Sequence, residues 1–66
     1  MGTRIAEVRI ARNMTQQQLA NKAGLSIRTI AYAEAARDIR VSTLRDIAAA
    51  LGVSVGELLE PDEVSA

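Results

Sequence analysis

Apolar residues recur along this chain at helical spacing, and nowhere do they alternate as a strand requires. Ile5 and Val8 fall on one side of a first helix, with Thr3 as its candidate cap and its end expected near Asn13. Leu19, Ala20 and Ala23 make one face of a second helix. Ahead of it, Thr15 and Gln18 have the spacing of a capping box, in which each side chain satisfies a backbone amide. Ser26 is the N-cap candidate of a third helix, with Ile30 and Ala33 on one side. Leu44, Ile47, Ala48 and Leu51 set the register of a fourth, which Ser42 is expected to cap and Gly52 to end. Ser54 and Glu57 repeat the capping-box spacing, so a short fifth helix is expected over about Val55 to Leu59, finished by Pro61. Met14 is expected to plug the core between the first two helices, and Val41 to point inward from the irregular stretch after Ala35. The pattern predicts an all-α fold, with one domain over residues 1–60 and a flexible tail over 61–66.

Thr15 to Ala35 is the stretch around which the rest is organised. Gly24 directly follows the apolar face of the second helix, where the chain needs a residue tolerant of positive φ. The third helix then restarts two residues later. By angle, Ile30, Ala33, Glu34 and Arg37 share its inner side, and Arg28, Tyr32 and Ala35 its outer side. That outer side offers a guanidinium and a phenol among small residues, a surface suited to base edges and phosphates in a major groove. Arg9 lies beside the inner face of the first helix, as Glu34 does on the third. Two opposite charges turned inward suggest a partner pair, because a lone buried charge is costly and a hydrogen-bonded pair is tolerable.

Composition narrows the class. The chain's 66 residues suffice for one domain. A domain of this size buries only roughly 60% of its unfolded surface and is marginally stable. There are no cysteines and no histidines, which removes disulfides, the usual zinc ligand sets and any evident base–nucleophile pair. No metal, no cofactor and no enzymatic activity are expected. No apolar run approaches the ~20 residues of a membrane span, and no export signal is read at the start. A reducing cytoplasm is the expected compartment. Net charge is zero, yet its distribution is uneven. Residues 1–45 hold all eight basic and three acidic residues, a net +5; residues 46–66 hold five acidic and no basic ones, a net −5. Such a chain can turn a positive side toward DNA.

The residues together resemble the compact five-helix DNA-binding domain of lambdoid phage repressors and Cro-like proteins. The resemblance rests on Ile5, Val8 and Arg9, then Thr15-Gln16, Leu19-Ala20, Ala23-Gly24-Leu25-Ser26, Ile30 and Glu34. It continues through Thr43-Leu44, Ile47-Ala48, Ala50-Leu51-Gly52-Val53 and Leu58-Leu59, covering nearly all of residues 3–60. It implies a helix-turn-helix made of helices two and three, with the second of the pair in the major groove. By position it implies base reading by Ile27, Arg28 and Tyr32. Backbone contacts would come from Thr15, Gln16, Ser26, Thr29, Arg37 and Arg40, and a structural ion pair from Arg9 and Glu34. Three departures stand out: Ala35-Ala36 where a glycine is usual, a connection to Leu44 about one residue short, and Ala33 where a bulky apolar residue is usual.

The resemblance implies a sequence-specific regulator of transcription, a repressor by expectation, in a bacterial cytoplasm or phage-infected cell. A two-fold homodimer would read two half-sites of a palindromic operator. Ile39, Leu58 and Leu59 are the candidate dimer contacts, with Ile39 equally readable as core. The alternative is a protein-interaction module or antitoxin-type regulator that keeps the fold and binds a protein partner, which the acidic stretch favours.

Overall fold

Thr15 opens the second helix as its neighbours predict: its hydroxyl accepts from the Gln18 amide at 3.0 Å, and Gln18 Oε1 accepts from the Thr15 amide at 2.8 Å. A computed structural model of the chain describes residues 3–35 and 39–59. Among these described residues four α-helices run in order: α1 (Ile5–Ala11), α2 (Gln16–Ala23), α3 (Ile27–Ala35) and α4 (Val41–Leu51). A 3-10 turn, Val55–Leu58, follows. The expected fifth helix is therefore one turn long. Its capping box between Ser54 and Glu57 is present, but Leu59 is already extended and pairs antiparallel with Thr3.

The described helices bury one large side chain or more from each element. Ile5, Leu19, Ile30, Ile47 and Leu58 are fully buried, one each from α1, α2, α3, α4 and the 3-10 turn. Ala20, Ala33, Ala48 and Ala50 fill the gaps between them, and their small size lets the helices approach closely. Met14 packs against this core as expected. α2 packs most extensively, against both α3 and α4.

Helix ends explain the turns. Gly24 and Gly52 both adopt the left-handed conformation, at φ 72° and 73°. Each is followed by an amide that reaches back into the last turn, Leu25 to the Ala20 carbonyl and Val53 to that of Ala48. Asn13, at φ 58°, ends α1 the same way, with the Met14 amide donating to the Arg9 carbonyl at 3.1 Å. Asparagine is one of the few side chains that tolerate this region.

Four expectations are corrected here. Thr3 does not cap α1: Arg4 holds that position, and the Thr3 hydroxyl donates to the Ala33 carbonyl at 3.4 Å. α1 stops at Ala11, short of Asn13. α4 begins at Val41 with Arg40 at its N-cap, so Ser42 lies inside the first turn and caps nothing. Val41 is 60% exposed, since the buried positions of α4 begin at Leu44. The tail over residues 61–66 lies outside the described residues.

Candidate nucleic-acid interface

The third helix owes its position to its start. Ser26 Oγ accepts from the Thr29 amide at 3.1 Å, and the Ser26 and Thr29 hydroxyls share a hydrogen bond of 2.9 Å. This cap follows the left-handed turn at Gly24 almost at once, so only Gly24, Leu25 and Ser26 separate α2 from α3. Ile30 and Ala33 face the core. The other side of α3 carries Ile27, Arg28, Ala31, Tyr32 and Ala35, all exposed. Ile27 keeps 45% of its surface in solvent and Tyr32 62%. This places a large apolar side chain and a phenol in solvent on one helix face.

Beneath that face lies a polar clamp. Arg9 Nε donates to Glu34 Oε2 at 2.6 Å, and Arg9 Nη2 to Glu34 Oε1 at 3.4 Å. Arg9 Nη1 also donates to the Met14 carbonyl at 2.7 Å, and Gln16 Nε2 to Glu34 Oε1 at 3.0 Å. The Arg9 and Glu34 side chains are only 14% and 10% exposed. Side chains from α1, α2 and α3 thus meet on one carboxylate, which fixes the angle between the two helices of the motif. The pair expected between Arg9 and Glu34 is formed. Gln16, read from sequence as a phosphate contact, is engaged here through one of its two amide hydrogens and keeps the other.

Arg28 makes no ion pair or side-chain hydrogen bond among the described residues, which leaves its fork available. Thr15 stands at the N-terminus of α2 with its hydroxyl already used in capping. Arg40 is exposed at the start of α4, and Arg37 lies outside the described residues. The candidate dimer contacts fare differently. Leu58 is fully buried within its own chain and offers no surface, which corrects its reading as a contact. Ile39 and Leu59 are half-buried and pack against the core.

Between α3 and the start of α4 lies a cleft of about 410 Å³, lined by Thr29, Tyr32, Ala33, Ile39, Arg40 and Thr43. Thr43 was missed from sequence. Its one signal is that it stands three residues after Arg40, on the same side of a helix. A larger cleft of about 550 Å³ opens between α2 and the end of α4, beside Arg12 and Lys22, and includes no residue of α3.

A sequence profile described as helix-turn-helix matches residues 5–58, from the first residue of α1 to the last of the 3-10 turn. No curated protein and no solved structure matches the chain.

Proposed function

The chain belongs to the Cro/C1-type helix-turn-helix family, whose domains bind DNA, and from that premise we propose that it represses transcription by holding a palindromic operator as a homodimer. The observation that carries this reading is the outer face of α3: Arg28 and Ile27 stand in solvent at the first turn of a helix braced from behind by Arg9 and Glu34. In helix-turn-helix domains it is the first turn of the second helix that reaches base edges. Arg28 pairs its fork with guanine O6 and N7, worth ~1–3 kcal/mol against a wrong base. Ile27 presses on a thymine methyl. Thr15, Gln16, Ser26 and Thr29 border the groove wall, and Arg37 and Arg40 meet phosphates, releasing counterions so that affinity falls with salt.

One domain reads only a few base pairs. A second copy on the adjoining half-site about doubles the binding energy. Of the original contact candidates, Ile39 and Leu59 retain part of their surface, so the interface is small and forms on DNA.

Selection of binding sites from random duplex DNA, followed by titration over several salt concentrations, tests the proposal. A palindromic enriched site with a steep salt dependence supports it. Binding without an enriched sequence removes the base-reading roles, and absence of DNA binding favours instead the protein-interaction reading, to which the net −5 of residues 46–66 lends support.

A further inference from the structure

Ala33 is fully buried on the inner side of α3, and Tyr32 beside it does not fold inward to join it. The ring stays 62% exposed at the rim of the cleft of about 410 Å³. Its walls are two short rows. Thr29 and Tyr32 stand one turn apart on α3; Arg40 and Thr43 stand one turn apart at the start of α4. The half-buried Ile39 supplies apolar surface between them. The Tyr32 and Thr43 hydroxyls and a guanidinium beside this apolar surface match a sugar–phosphate unit: an anion for the guanidinium and hydroxyls, and ring carbons for the apolar surface. The cleft is continuous with the outer face of α3 and lies beyond the first turn, where base edges are reached.

We infer that Tyr32 is a backbone residue, not a base reader: with Arg40 and Thr43 it seats one phosphate and its sugar at the edge of the groove. This rests on the DNA-binding reading and divides the outer face of α3 in two. Ile27 and Arg28 discriminate sequence; Tyr32 fixes the register in which they do so.

The test uses the full chain and its Tyr32→Phe, Tyr32→Ala and Arg40→Gln variants on the selected operator and on a random duplex. Tyr32 and Arg40 are exposed, so the variants keep the wild-type circular dichroism. Tyr32→Ala weakens both duplexes alike, by about tenfold per bound protomer, the size of one hydrogen bond to a charged group, and leaves the selected sequence and the salt slope unchanged. Arg40→Gln lowers the salt slope by about 0.9 per protomer, about 1.8 for the dimer. In ethylation interference, Tyr32→Phe and Arg40→Gln both lose sensitivity at the same phosphate. The inference is overturned if Tyr32→Ala relaxes one base position, or if the two variants lose different phosphates. Absence of DNA binding by the wild-type chain would overturn the functional proposal and this inference together.

Discussion

Arg9 Nε and Glu34 Oε2 are 2.6 Å apart, and this contact joins the first helix of the fold to the third. It also receives Gln16 from the second, so one carboxylate organises three helices. The outer face of α3 is aimed by this clamp as much as by the turn at Gly24.

Removing one partner strands the other in a site about nine-tenths closed. Glu34→Ala is expected to cost about 3–5 kcal/mol, because it leaves the Arg9 charge unpaired, with only the Met14 carbonyl as acceptor, and Gln16 without its partner. For a domain with only a few kcal/mol to lose, that unfolds much of the population at 25 °C. Replacing both residues, as Arg9→Met with Glu34→Leu, should recover most of the loss. Urea unfolding read by circular dichroism checks both, and an unchanged midpoint for Glu34→Ala would contradict the clamp.

Gly24 and Gly52 offer a cleaner measure of backbone strain. A Cβ at either meets nothing within 4 Å, so Gly→Ala costs only the left-handed conformation. That is about 1–2 kcal/mol at each site, with Asn costing less. Gly24→Ala should lower both stability and DNA affinity, since the strain falls on the turn that sets the angle of α3. Gly52→Ala should lower stability alone. Thermal melts and binding titrations on the same samples separate the two.

The 3-10 turn is sensitive to acid. Glu57 has its carboxyl held below the ordinary 4.5, first by the Ser54 amide, then by the Ser54 hydroxyl, with a smaller pull from Arg12. Burial acts weakly the other way. A carboxylate lowered in the folded state stabilises above its unfolded pKa, and that contribution disappears as pH falls through the folded value. The turn should therefore loosen below about pH 4.5. Ser54→Ala should move the Glu57 titration back toward its ordinary value in carboxyl NMR, and Glu57→Gln should abolish this part of the acid dependence.

Much of this was legible from residue spacing, for physical reasons that differ by site. Gly24 and Gly52 could be read because glycine after an apolar face has few other uses. Asn13 adopts the same backbone, but asparagine has many uses besides ending a helix, so its conformation was not read from the sequence. Ser42 misled because hydroxyls favour N-caps; α4 starts two residues earlier than that cap implies, with Arg40 at its N-cap. The Ser54 and Glu57 box was right, yet it opens one turn, because Leu59 is drawn out to pair with Thr3. On α3, angle alone placed Arg28 and Tyr32 outward. The separate role given to Tyr32 rests on its neighbours Arg40 and Thr43 across the cleft, of which only Arg40 had been read as a backbone contact.

Site selection with the Arg28→Ala variant tests the central claim most directly. If the outer face of α3 reads sequence, one symmetry-related pair of positions in the operator becomes degenerate while the rest of the site survives, with about 1–3 kcal/mol of discrimination lost there. An enriched site identical to that of the wild-type chain would show that Arg28 does not read a base.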